Sequence, residues 1–198
     1  ITAYKLKIGG ERDKERVKLL RRETGDGFAL YVDANQNYNV ADAISAAEWL
    51  SDFNVAWLEE PVLADCPWEL EKVAAESSVP LAAGENVYFS WGFQDLCNRK
   101  AATYLQPDIG RCGGVTEWIK IAHLADANNL RLTSHLLHEV SACLISAFTC
   151  GFAVEFMNLF QKNPFTRDFS VTDGHITLPN VAGHGVEFSQ EARKNYTV

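Results

Sequence analysis

Along most of the chain, apolar runs of three to six residues alternate with longer stretches in which apolar side chains return every three or four positions. The short runs predict strands over Ala3 to Ile8, Phe28 to Asp33, Val55 to Glu59, Pro80 to Ala83, Thr103 to Leu105, Arg131 to Ser134 and Phe152 to Glu155. Near-continuous apolar strands of this kind belong to parallel sheets covered on both faces. The longer stretches predict helices over Glu11 to Glu23, Val40 to Ser51, Pro67 to Ser77, Trp91 to Asn98, Val115 to Asn128 and Leu137 to Phe148. Ala43, Ile44, Ala47 and Leu50 keep helical spacing, as do Val115, Trp118, Ile119, Ala122 and His123. Strand and helix alternate strictly with no hairpin signal between them, so the fold class is α/β with a parallel sheet.

Polar residues close these runs in a ladder: Lys5 and Lys7, Asp33, Glu59, Glu85, Asp108, His135 and Glu155. From Lys7 onward the steps are 26, 26, 26, 23, 27 and 20 residues, close to one strand-plus-helix unit. A doubly wound sheet gathers its ligand groups at one switch point, whereas a (β/α) barrel brings every strand end to one mouth. One polar rung per strand therefore favours the barrel. Such barrels run to about 250 residues, so seven units imply that the first strand and helix are missing at the N-terminus, leaving two exposed strand edges.

With 198 residues the chain can bury a sizeable core. Its net charge of -8 and pI near 5.1 exclude a nucleic-acid or anionic-membrane surface and leave small molecules as partners. No apolar run approaches the ~20 residues of a membrane span, and no signal peptide is visible. Five cysteines without CxxC spacing read as reduced thiols, which places the protein in the cytoplasm. The chain opens on Ile1 with a strand already under way, as the C-terminal part of a longer protein does. The expected division is a catalytic barrel over 1–160 and a segment over 161–198 that packs back on it. Turn signals there, Thr172 to Pro179 and Gly183-His184-Gly185, surround a short strand.

The rungs have distinct chemistries. Taken singly, an acid at a strand end usually caps a helix or pairs with a lysine. Three in succession, Asp33, Glu59 and Glu85, on strands about 4.8 Å apart, converge on one cation, and an all-oxygen set selects Mg²⁺ ahead of Mn²⁺ over zinc. Lys5 and Lys7 share a strand face, and mutual repulsion lowers their proton affinity enough for Lys7 to act as a base. A carboxylate beside an imidazole makes Asp108 and His135 an acid or base, with a satisfied structural histidine as the rival reading. His138-Glu139 lacks the spacing of a zinc-protease motif. Glu155, between Phe152 and Phe156, is expected to hold its proton and donate a hydrogen bond to an oxyanion, or else simply to pair with a cation.

Lys5-Leu6-Lys7, Asp33-Ala34-Asn35, Glu59-Glu60-Pro61, Gly84-Glu85-Asn86, Asp108-Ile109-Gly110 and Ser134-His135-Leu136 resemble, in order and spacing, the C-terminal barrel domain of the enolase superfamily, mandelate racemase subgroup. The resemblance implies a TIM-type barrel lacking here its first unit and the N-terminal capping domain. It also implies Mg²⁺ on Asp33, Glu59 and Glu85, and an enediolate intermediate. Lys7 would be the base on one face, with Lys5 beside the substrate carboxylate. His135 with Asp108 would serve the opposite face, and Glu155 would be the electrophilic donor. The muconate-lactonizing branch would instead end the sixth barrel strand in lysine, where this chain has Asp108, and Lys120 lies within a helix. The resemblance implies an acid-sugar dehydratase, with a 2-hydroxy-acid racemase or epimerase as alternative and an inactive, metal-binding truncated barrel as a further one. The partners expected are a small carboxylate substrate and further copies of the chain in a homo-oligomer.

Overall fold

In the computed structural model, residues 3–160 and 162–196 are described. The sheet has seven strands: β1 (Ala3–Lys7), β2 (Ala29–Asp33), β3 (Val55–Glu59), β4 (Leu81–Ala83), β5 (Tyr104–Leu105), β6 (Arg131–Thr133) and β7 (Gly151–Ala153). They lie in chain order and every pairing is parallel. Between them run α1 (Asp13–Thr24), α2 (Val40–Ser51), α3 (Pro67–Glu76), α4 (Phe89–Arg99), α5 (Gly114–Ala127) and α6 (His138–Ser146). Among the described residues, no strand pairs with the outer edges of β1 and β7. The sheet nevertheless curls, because Lys5 Nζ on β1 reaches Glu155 Oε1 beyond β7 at 2.6 Å.

Alternation along each strand separates two layers. Leu30, Val32 and Leu58 turn outward and are wholly buried, in one core with Ala43, Ala47 and Leu50 of α2, Val73 of α3, Phe93 of α4 and Trp118 and Ile121 of α5. Tyr31 and Trp57 turn inward and stack at 3.7 Å, and Tyr104 and Phe152 extend this interior layer to β5 and β7. Two residues further along β2 and β3, on the same inner side, stand Asp33 and Glu59.

Helix starts follow local chemistry. Asn39 accepts the Asp42 amide at 2.9 Å and starts α2 at the position its spacing predicts. The first helix begins at Asp13, two residues later than predicted, because that carboxylate is engaged by the preceding Gly9 and Gly10 amides. Strands β4 to β7 are shorter than the apolar runs that mark them. At Gly84 (φ 144°) the chain leaves the β4 ladder, and a Cβ there would meet Gln106 N at 2.8 Å, so only glycine lets these loops approach. Arg21, almost fully buried, braces the opposite end by donating to the carbonyls of Gly25, Phe28, Phe53 and Asn54.

Beyond the sheet, the single short strand predicted for the tail is a two-stranded hairpin, β8 (Val171–Thr172) and β9 (His175–Ile176). Asp173 and Gly174, both at positive φ, make its turn. The helix α7 (Gln190–Tyr196) was not predicted. The tail touches α6 where the rings of Phe156 and Phe169 pack on His138. Of the two ranges expected for the domains, Ile1, Thr2, Gln161, Thr197 and Val198 lie outside the described residues.

Candidate metal and proton-transfer site

The sheet register sets Lys7, Asp33 and Glu59, the last residues of β1, β2 and β3, side by side. The later rungs are displaced: Glu85, His135 and Glu155 stand two residues past β4, β6 and β7, and Asp108 three past β5. An isolated parallel bridge between Asp108 and His135 still keeps those two paired. All eight residues singled out from sequence meet in one network at this end of the sheet.

Asp33, Glu59 and Glu85 are buried, and each offers an oxygen within 4.8 Å of the others. Burial alone would raise the Asp33 proton affinity, but the Lys7 hydrogen bond, the Lys5 charge and the Asn35 amide hold it below the usual range. Glu59 goes the other way. Burial pushes its carboxyl up to about 7, with the Asp33 charge adding to the shift and Lys5 opposing it. Its two oxygens are divided: Oε1 accepts from Lys5 Nζ at 2.7 Å, while Oε2 accepts from Trp57 Nε1 at 3.1 Å and Gln106 Nε2 at 3.0 Å.

Lys5 corrects one expectation. Burial lowers its proton affinity, yet the charges of Glu59 and Glu155 outweigh this and leave it raised. Repulsion between the two lysines is thus overridden at Lys5 by three carboxylates, Glu59, Glu155 and, at 3.4 Å, Asp33. Lys7 reaches the same Asp33 oxygen, but its side chain is 55% exposed.

At the other end of the acid row, His135 Nδ1 lies 2.6 Å from Asp108 Oδ2, and its Nε2 lies 3.2 Å from Glu85 Oε2. Burial would lower the imidazole's proton affinity, but the bond to Asp108 and the Glu85 charge raise it. Asp108 is held low against its own burial by His135 and by the Gly110 amide. Of the aromatic residues flanking Glu155, Phe152 packs on Tyr104 and Phe156 on His138. The Glu155 carboxylate meets Lys5 and accepts the Leu136 amide at 2.8 Å.

Several participants carry no signal of their own in the sequence. Trp57 and Gln106 look like core residues, and nothing in their spacing announces that both donate to Glu59. Glu60 is wholly enclosed, its carboxyl pushed up to about 7 by burial and by the charge of Glu85. The Glu59-Glu60 doublet was the one available clue to it.

The family model described as "Enolase C-terminal domain-like" matches residues 1–192. A 3,6-anhydro-alpha-L-galactonate cycloisomerase of Streptomyces coelicolor is 34% identical over 187 residues, 93% of this chain and 52% of that protein. The L-talarate/galactarate dehydratase of Salmonella typhimurium is 31% identical over 201 residues, 98% of this chain and 49% of its own length. Among solved structures, L-talarate dehydratase from Polaromonas, complexed with Mg and L-glucarate, superposes with a TM-score of 0.92 at 31% identity, covering 98% of this chain and 55% of that one. An enolase from Bradyrhizobium, complexed with magnesium and mandelic acid, does so at 0.93 and 31%, covering 100% and 55%. The chain spans about half the length of the curated relatives it matches. On the family match and these relationships, the chain belongs to the enolase superfamily, as a C-terminal-domain-like member.

Proposed function

We propose that this chain carries the active-site residues of an enzyme that abstracts the α-proton of a hydroxy-carboxylate with Mg²⁺, through the substrate's enediolate, and dehydrates an acid sugar. One observation carries the reading: three buried carboxylates stand in a row, with Lys7 at the Asp33 end and the Asp108–His135 pair at the Glu85 end. The donor set fits the ion, being all carboxylate oxygen and already drawn close together without Cys or His. Asp33, Glu59 and Glu85 would hold it. When bound, Mg²⁺ supplies the positive charge that acidifies the α-proton and stabilises the developing anion.

The rest falls to the side chains. Lys7, turned from Asp33 and having given up a proton to solvent, takes the α-proton on one face as a neutral amine. Asp108 fixes Nδ1 of His135 as a donor, which leaves Nε2 to move the proton on the other face or to protonate a leaving β-hydroxyl. Lys5 turns to the substrate carboxylate, and Glu155, released from it and having taken up a proton from solvent, donates to the oxyanion.

Four dehydratases of sugar acids stand among the curated relatives, which supports dehydration. Two further readings have support of their own. Return of the proton on the opposite face would make a racemase or epimerase, as the N-succinyl-L-Arg/Lys racemase relative suggests. The cycloisomerase at 34% identity supports an isomerising fate for the same enediolate. The half-length match supports placing 1–160 as the larger part of a (β/α) barrel and 161–198 as a segment packed on it, a capping domain completing the protein. The five free cysteines support the cytoplasm, and assembly as a homo-oligomer belongs to the same reading.

The test is proton exchange. With Mg²⁺ in D₂O and a panel of acid sugars and 2-hydroxy acids, at least one substrate should gain α-deuterium or lose its β-hydroxyl. No exchange on either face across the panel, by a protein that binds Mg²⁺, would leave only a metal-binding barrel piece.

A further inference from the structure

Glu60 is the acid that this mechanism does not use. It is 2% exposed, and its backbone sits at φ 36°, a conformation that long side chains rarely adopt. Among the described residues no cation pairs with it. Its Oε1 is buried without a hydrogen-bond partner. A carboxylate enclosed in this way is unfavourable unless its neighbours require it.

Those neighbours are amides. Glu60 Oε2 accepts from Asn86 Nδ2 at 2.7 Å and from Gln36 Nε2 at 3.2 Å. The same Asn86 Nδ2 lies 3.3 Å from Glu85 Oε1, and Asn86 Oδ1 accepts from Arg111 Nη1 at 2.9 Å. Arg111 also donates to the Glu85 carbonyl at 3.2 Å. With acceptors on its nitrogen side and a cation on its oxygen side, the Asn86 amide has one orientation. That orientation fixes Glu85 Oε1 and leaves Oε2 on the side of His135. The backbone reinforces the arrangement, because Gln36 N donates to Glu60 O and Glu60 N to Ala82 O, joining the loops after β2 and β3 to β4.

We propose that Glu60 and Asn86 are a positioning pair that holds the Glu85 carboxylate in the geometry needed to bind the cation. The inference rests on the metal site proposed above. Groups that orient metal ligands in this way typically change affinity about ten- to a hundredfold when removed.

Calorimetric titration of the full chain with Mg²⁺ tests it. Glu60→Ala and Asn86→Leu should each weaken binding by about ten- to a hundredfold, and the double variant should be no weaker than Glu60→Ala alone. Glu60→Gln, which keeps an oxygen that accepts from both amides, should stay within about threefold of the parent. Metal-free melting temperatures, recorded alongside, separate a purely structural role, which would lower them while leaving affinity unchanged. Parental affinity in both Glu60→Ala and Asn86→Leu overturns the proposal, as does a Glu60→Gln as weak as Glu60→Ala, since charge and not positioning would then be at work. If Glu60→Ala does not fold, Asn86→Leu and Glu60→Gln decide. A parent chain that binds no Mg²⁺ removes the metal site and this pair together, whereas indifferent variants of a binding parent remove only the pair.

Discussion

Lys7 and His135 stand at opposite ends of one acid row and differ in what holds them. Lys7 has one carboxylate partner and a half-exposed side chain, while His135 is clamped between Asp108 and Glu85. Under the two-base reading, Lys7→Ala and His135→Asn should each lower turnover by about 10²- to 10⁴-fold. Exchange resolved by stereoisomer should show each variant losing a different face; loss of the same face in both would refute the assignment. The eight polar residues that meet here were legible because all but Lys5, which shares a strand face with Lys7, end or follow an apolar run, where few polar groups occur without a purpose. The residues behind them were not. A tryptophan in mid-strand and a glutamine after β5 look like packing, and only the fold shows both turned toward Glu59.

Among the elements, strand ends fell within one residue of expectation except at β7, and the ends of the six expected helices within two. Asn39 and Pro67 mark helix starts locally, whereas a strand lasts only as long as its neighbour's ladder, so β5 keeps two residues of a longer apolar run. The hairpin β8–β9 was read as one short strand between turns because two-residue strands carry no alternation. Helix α6 yields a prediction of its own. Burial depresses the proton affinity of His138, opposed only by the neighbouring Glu139, and Asp168 of the tail lines the same small cavity. The folded protein therefore prefers the neutral ring. The stability tied to His138 is complete above the unfolded-state pKa of about 6.5 and is lost as pH falls below it. Melting temperature should drop between pH 7.5 and pH 5 more steeply in the parent than in His138→Leu. The comparison is made between the two proteins because His135, with its raised affinity, contributes the opposite slope. Equal slopes would show that the ring is not buried as described.

For the molecule as a whole, the parallel order of all seven strands follows from the alternation of short and long apolar periods. The curl does not, because it depends on which side chains meet across the interior: Lys5 with Glu155, and Trp57 with Tyr104 and Phe152. Trp57 belongs to both systems, stacked on Tyr31 within the layer and bonded through its indole nitrogen to Glu59. It therefore serves as a built-in dye. Light absorbed by this indole samples the acid row directly, so adding Mg²⁺ should change the tryptophan emission, and chelation should restore it. Four other tryptophans contribute background, and the cation-dependent part should vanish in Trp57→Phe. A signal that survives that substitution would come from elsewhere in the chain. The site can thus be titrated before any substrate is known.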